Sequence, residues 1–355
     1  MAGSVAGYAA TNSRVRVMYS TLLSEPDTAR LYEAPDLISL VSILKPTAYG
    51  PYVDRIKDSA LNARRVAFHL RERLADTYLS LIHTAPEHAR SLLAQRYRYF
   101  EVDNLKAVLR GIVTGASWDR VRFVLFPYGP NTVLPAQEMV ESGSIPTAIE
   151  MLRNTPYYET LSYALKRYSA EQNIFPLEVA LDLSYWRALW KEVNRLPGDD
   201  RNQALRVIGA LVDMNNLMWA VRYRVYHHLS EEEIINYTLS FGFRSHDADI
   251  RALAAGADIA QVLKRVYPNL ADIDSLLQDE TTGLSRLEVE LQRQVVEKCH
   301  LAFVGNPFHI GIPLAYLALS ELEIQDLVVL IEAKSTGAPV EVFREYLVMG
   351  APIKA

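Results

Sequence analysis

The stretch Leu37-Ile38-x-x-Val41-x-x-Leu44-x-x-Thr47-x-Tyr49 decides the architecture, because most of it returns. Shifted by 108 residues, it reads Ile149-x-x-Leu152-x-x-Thr155-x-Tyr157, with identity or similarity at every matched position. A looser third copy runs Ile259-Ala-Gln-Val262-Leu263-Lys-Arg-Val-Tyr267. Such repetition implies that one supersecondary unit has been used several times. A second element follows the first two copies. Asn104-Leu105-Lys-Ala-Val-Leu-Arg110 precedes Ser117 and Gly129, and Asn216-Leu217-Met-Trp-Ala-Val-Arg222 precedes Ser230 and Gly242, the Ser-to-Gly distance being 12 in both. In the last third, Leu319-Ser320-Glu-Leu-Glu323-Ile324 is similar to Leu229-Ser230-Glu-Glu-Glu233-Ile234 at an offset of 90. Three related units are expected, with cores over 37–129, 145–242 and 257–337. With their connections, the chain divides into an N-terminal helical leader over 1–36 and helical repeats over 37–140, 141–245 and 246–355.

The units read as helices. Proline-free runs cover 52–85, 87–126, 198–267, 269–306 and 314–338, and proline is tolerated at helix starts and in loops but not inside helices. Within the first run, Ala63, Ala67, Leu70, Leu74, Tyr78 and Leu81 fall on one helical face. Arg64, Arg65, Arg71, Glu72 and Arg73 lie mostly off that stripe and are expected to be solvated. Val121–Phe126 has the composition of a short strand, but it sits where the equivalent unit has a helix, so the class is all-α. Ser230 with Glu233, and Ser320 with Glu323, fit capping boxes. Each serine is expected to start a short helix, stabilising it by about 1 kcal/mol. Arg120 stands where the first unit would carry its glutamate. Gly129 and Gly242 are expected to close these helices at positive φ.

Composition narrows the function. Lys and Arg number 37 against 42 Asp and Glu, a net charge of −5, which argues against nucleic acid as the main partner. The single cysteine, Cys299, excludes an intrachain disulfide framework and a cysteine-rich zinc site. A reducing compartment is the natural reading. No basic residue precedes a long apolar run at the N-terminus, so no signal peptide is expected. Cys299–Ser320 lacks Asp, Glu, Lys and Arg, and its length approaches a membrane span. Asn306, Pro307, His309 and Pro313 would break a spanning helix, so the run is expected to form two buried helical pieces around a turn at Gly305-Asn306-Pro307.

Catalytic motifs are missing. The sequence holds no Walker-type phosphate loop, no G-x-G-x-x-G, no H-E-x-x-H and no G-x-S-x-G. Asp199-Asp200 lacks a second acidic half and is read as a polar loop and helix start after Pro197-Gly198. His227-His228 are adjacent, cannot share a helix face, and are read as helix-terminal rather than metal-binding. The sequon Asn236-Tyr237-Thr238 is read as accidental. Two segments interleave arginine and aromatics, Arg96-Tyr97-Arg98-Tyr99-Phe100 and Trp219-Ala-Val-Arg222-Tyr223-Arg224-Val225-Tyr226. They are read as amphipathic helix, with the aromatics in the core and the arginines on local carboxylates, not as stacking platforms for single strands. No catalytic, cofactor or metal residue is assigned.

The order and triplication of these segments resemble the C subunits of archaeal and bacterial A/V-type rotary ATPases, the counterparts of the d subunit in the eukaryotic vacuolar ATPase. Four segments carry the resemblance: Tyr8 with Arg14-Val15-Arg16-Val17-Met18-Tyr19-Ser20-Thr21-Leu22-Leu23; Leu37–Tyr49; Asp213-Met-Asn215-Asn216-Leu217 running into Arg222-Tyr223-Arg224 and Leu229-Ser230-Glu231-Glu232; and Asn306-Pro307-Phe308-His309-Ile310-Gly311 with Ala315-Tyr316-Leu317 and Glu321-Leu322-Glu323-Ile324. The resemblance implies a funnel of three similar helical subdomains about a pseudo-threefold axis. It implies a non-catalytic, peripheral component on the cytoplasmic face of the membrane, capping the proteolipid rotor ring and receiving the central stalk, with no cofactor or small-molecule substrate. The alternatives are an all-α repeat scaffold for an unrelated protein partner and an all-α enzyme built on dispersed carboxylates.

Overall fold

A computed structural model describes residues 2–270, 273–279 and 282–349. Seven helices of at least 18 residues carry it: α1 (Ala2–Tyr19), α2 (Ala63–Thr84), α3 (Glu87–Val113), α4 (Phe175–Arg195), α5 (Gly198–Val225), α6 (Gly283–Leu301) and α7 (Gly311–Thr336). Shorter helices connect them, and the described residues include no strand. The protein is all-α. Val121 ends a one-turn helix, Trp118–Val121, so the strand alternative is not taken.

The prolines mark helix starts. Pro86 and Pro197 immediately precede α3 and α5, and Pro176 and Pro313 sit in the first turns of α4 and α7, where no intrahelical donor is lost. In α2, Asn62 accepts from the amide of Arg65, and all six residues of the predicted stripe are buried. Two arginines depart from expectation: Arg71 is half-buried, and burial lowers its guanidinium pKa. Arg73 is buried, with its guanidinium carbon 4.5 Å from the centroid of the Tyr49 ring, so the aromatic face offsets part of its lost hydration.

Packing closes a ring. α2 packs on α3, α3 on α4, α4 on α5, α5 on α6, α6 on α7, and α7 back on α2, while α5 and α7 also touch each other. α1 packs on both α7 and α2, bridging the first and last members. The uncharged run forms the end of α6, a turn in which Gly305 takes φ +90, and the first turns of α7. Cys299 is buried within it. Among the described residues, no helix is long and apolar enough to cross a membrane.

One hydrogen-bonding device occurs in α3, α5 and α7. Each carries a buried carboxylate followed three residues later by a side chain that holds the returning chain. In α3, Glu101 accepts from Val133 N at 2.8 Å and Tyr157 Oη at 2.6 Å, and Asn104 brackets Phe126, accepting from its N at 2.6 Å and donating to its O at 2.9 Å. In α5, Asp213 accepts from the amides of Phe243, Arg244 and Ser245 at 2.8, 2.7 and 3.2 Å, and Asn216 brackets Leu239 in the same way at 2.7 and 2.8 Å. In α7, Glu323 accepts from Leu23 N at 2.7 Å and Tyr49 Oη at 2.6 Å, and Asp326 accepts from Val348 N and Met349 N at 2.8 and 2.7 Å. Tyr49 and Tyr157, matched residues of the repeated motif, thus each close on a carboxylate of a helix distant in the chain, α7 and α3. Tyr267, the third, has its phenol pKa raised by burial and by the charge of Asp213.

This device corrects two expectations. Ser320 and Glu323 do not cap a helix. Both lie inside α7, where Ser320 is fully buried and its hydroxyl finds no partner. The similarity at offset 90 aligns the start of a short helix with the middle of a long one. Gly242 is also not a positive-φ closure. Its place is set by close approach, since a Cβ there would stand 2.3 Å from Ser245 O and 2.5 Å from Asp213 Oδ1. Gly129 does take φ +87, though beyond the end of Trp118–Val121.

Ser230 starts the helix Glu231–Asn236. Its hydroxyl accepts from Glu233 N at 3.3 Å, and Glu233 Oε2 accepts from Ser230 N at 3.1 Å. Ser117, lacking the glutamate, caps its helix without a side-chain bond. Ser230→Ala is expected to cost about 1 kcal/mol in chemical denaturation. Hydrogen bonds from Arg167 and Ser230 hold Glu233 below its ordinary pKa of 4.5. A depressed carboxylate stabilises the fold only while ionised. The stability difference between wild type and Glu233→Gln should therefore be full above pH 4.5 and shrink as pH falls below it; a difference that persists in acid would mean packing, not the cap.

Candidate functional site

All six ring helices contribute to one central cavity of ≈ 490 Å³, through Arg71 of α2, Arg96 of α3, Trp186 of α4, Met214 of α5, Gln292 of α6 and Glu321 of α7. Leu74, Leu211, Leu322 and Val328 give it apolar walls, while Asp103 and Glu288 add charge.

Its wall holds a buried ion pair. Arg96 is buried and pairs with Glu321, and the Tyr78 hydroxyl donates to the other carboxylate oxygen. Tyr185 Oη lies 3.4 Å from Arg96 Nη1, and the Tyr99 ring centroid is 5.3 Å from the guanidinium carbon. Burial works against the Arg96 charge, but Glu321 overrides it and drives the guanidinium pKa well above its usual value. Burial also raises the Glu321 carboxyl, with Arg96 and Tyr78 opposing. The pair ties α3 to α7, 225 positions apart. Lys106 Nζ joins α3 to α4 at 2.8 Å from Asp182, and Arg222 joins α5 to α6 through Glu288.

At one end, the first turns of α3, α5 and α7 meet around Asp200. Its Oδ1 accepts from Ile310 N at 3.0 Å; its Oδ2 accepts from Tyr8 Oη at 2.8 Å and lies 2.8 Å from His88 Nε2. Asn12 Nδ2 donates to Pro307 O at 2.6 Å and His309 O at 3.1 Å, pinning α1 to the same junction. Three helix N-termini concentrate positive partial charge, and one buried carboxylate offsets it. Burial holds His309 below its ordinary pKa. The Asp200 junction is more than the polar loop read from the sequence: Asp199 is exposed, while Asp200 is a buried hub. Its partner Tyr8 lies 192 positions away, so no local pattern marked it.

The other singled-out residues serve the scaffold. Tyr97 stacks on Tyr128 at 4.4 Å and Phe100 on Phe126 at 4.0 Å, as core aromatics should. The arginines, however, reach distant partners: Arg96 takes Glu321, Arg222 takes Glu288, and Arg224 donates to the carbonyls of Leu253, Gly256 and Ala257. His227 and His228 lie just beyond α5, both exposed, with His227 stacked on Phe175 at 4.6 Å. Thr238 of the sequon is buried and donates to Ile234 O at 2.8 Å. Among the described residues, no three His, Cys, Asp or Glu are grouped to hold a metal ion.

Comparison with known proteins places this arrangement. Residues 11–346 match the family model described as ATP synthase (C/AC39) subunit. The C subunit of the A-type ATP synthase from Methanocaldococcus jannaschii is 26% identical over 348 residues, covering 97% of this chain and 87% of that protein. Its equivalent from Methanothermobacter thermautotrophicus is 24% identical over 348 residues, covering 96% and 87%. The one from Methanococcoides burtonii is 24% identical over 349 residues, covering 98% and 96%. The family match takes in the whole six-helix ring, its cavity and Asp200 itself, and the chain belongs to the ATP synthase (C/AC39) subunit family.

Proposed function

We propose that the chain joins the central stalk to the membrane rotor ring of an A/V-type ATP synthase and transmits torque between them, without chemistry of its own. The observation that carries this reading is the closed ring of six helices around a cavity reached by all of them. A closed collar can grip an axial shaft, whereas an open superhelix of repeats presents a one-sided groove; closure thus favours the coupling role over a repeat scaffold. Torque transmission also requires little local opening, and the inter-helix ion pairs and carboxylate clamps tie each ring member to elements far along the chain.

In this reading, repeats 37–140, 141–245 and 246–355, following the leader 1–36, stand about a pseudo-threefold axis as a funnel. Convergence of the N-termini of α3, α5 and α7 on Asp200 supports a narrow end there, and the cavity beside the middle turns of the same three helices supports a mouth toward their C-termini. The stalk tip would enter the mouth and the proteolipid ring would meet the narrow end, placing the protein peripherally at the cytoplasmic face. Neither nucleic acid nor a small-molecule substrate is involved.

The test is ion pumping by a complex reconstituted with and without this chain. ATP hydrolysis by the head should survive its removal, while proton or sodium transport should fall to background. Undiminished transport without the chain would refute the coupling role.

A further inference from the structure

We propose that the surface beside the Asp200 junction, formed by α1 and the turn after α6, is a docking face for anionic phospholipid headgroups. The proposal rests on the reading that this end is turned toward the membrane ring, and it adds a second contact there, with lipid.

The surface is assembled by specific contacts. Arg16 Nη2 donates to Phe303 O at 3.5 Å, the Tyr19 ring stacks on Phe303 at 4.2 Å, and Tyr19 Oη lies 3.0 Å from His300 Nδ1. The second half of α1 therefore lies along the end of α6 and the turn that follows. Val17 on α1, Leu301 at the end of α6 and Val304 in the turn are 66%, 56% and 75% exposed. These aliphatic groups gain nothing from folding, and their gathering on two adjoining elements marks a surface meant to be covered.

Cations surround them. Arg14, one helical turn from Val17, and Arg16 are both exposed, and neither forms an ion pair with a described residue. Around the same junction, three more exposed arginines use neutral acceptors: Arg90 takes Ala85 O, Arg201 takes Asn194 and Arg206 takes Gln203. The exposed carboxylates here are Glu87 and Asp199 in these first turns and Glu297 one turn before Leu301, the last paired with Lys298, while Asp200 is buried in the junction. A chain of net charge −5 thus gathers positive charge at one end. Guanidinium groups with free donors match phosphate oxygens, and aliphatic side chains between them suit the apolar layer just below a headgroup plane. An anionic bilayer surface satisfies both features at once, and arginines near such a surface each add to its affinity.

The experiment floats the full chain with vesicles of phosphatidylcholine alone or mixed with phosphatidylglycerol. Binding is expected only to the anionic vesicles, and it should weaken as salt rises. The double variant Arg14→Glu, Arg16→Glu should lose at least about tenfold in vesicle affinity, with its melting curve little changed, since Arg14 is exposed and Arg16 gives up only the long contact to Phe303 O, while the Tyr19–Phe303 stack remains. Arg14→Lys, Arg16→Lys should retain binding, and Val304→Asp should reduce it. Equal binding to both vesicles, no binding to either, or full binding by the double glutamate variant would overturn the proposal. The vesicles contain no rotor ring, so the result is independent of coupling. Capture of a purified ring by a chain that ignores vesicles would refute the lipid face alone and assign the arginines to acidic protein loops. Vesicle binding without ring capture would count against coupling and leave the lipid face standing.

Discussion

Truncating Glu321 to alanine is expected to lower stability by about 3–5 kcal/mol, the range for removing one partner of a buried ion pair. The loss is large because Arg96 is buried and stays charged. Without the carboxylate it keeps only the Tyr185 hydroxyl at 3.4 Å and the face of Tyr99. Tyr78, fully buried, loses its acceptor as well. An unpaired buried charge costs more than the net gain from the original pair, so the double variant Arg96→Met, Glu321→Leu should recover much of the loss. Urea denaturation with an unchanged slope measures both effects. A loss below about 1 kcal/mol for Glu321→Ala would mean that water reaches Arg96 from the cavity. The pair also stiffens the wall of the proposed stalk socket, since it joins α3 to α7 where the ring encloses the cavity.

What the sequence could disclose follows from how far apart the interacting residues are. The α2 stripe from Ala63 to Leu81 and the Ser230–Glu233 box were legible because every partner lies within a few turns of the same helix. The match of Tyr49 to Tyr157 was legible as repetition, but its cause was not. Those tyrosines meet Glu323 and Glu101, which are 274 and 56 positions away. The carboxylates fill one structural role with both Glu and Asp, and the residues three positions on alternate between Asn and Asp, so identity counting passes over them. Ser320 shows the opposite error. S-x-x-E is a local pattern that the interior of a buried helix can satisfy by chance, and only the surrounding packing separates Glu323 as a clamp from Glu233 as a cap. Asp200 and the cavity were illegible for the same reason, since both exist only where segments distant in the chain meet.

Asp213 offers the sharpest test of the recurring clamp. Asp213→Ala is expected to cost about 3 kcal/mol, because three backbone amides, those of Phe243, Arg244 and Ser245, lose one shared acceptor. The cost stays near the low end because Arg244 is exposed and its amide can turn to water. Gly242→Ala attacks the same turn from the other side, forcing a methyl group to 2.5 Å from Asp213 Oδ1. The two substitutions break one structure, so the double variant should be less destabilised than the sum of the singles; strict additivity would show that Gly242 and Asp213 act independently. The pH dependence has a definite sign. Burial raises the Asp213 pKa above 3.8, with the amide bonds opposing it. A raised carboxyl binds its proton more tightly in the folded state, a contribution fully present below pH 3.8 and lost as pH rises through the folded pKa. Asp213→Asn should remove that acid-side contribution, so its stability relative to wild type should worsen as pH falls. The turn at 242–245 would then be held at neutral pH by the geometry of its hydrogen bonds, against the electrostatic cost of burying the charge.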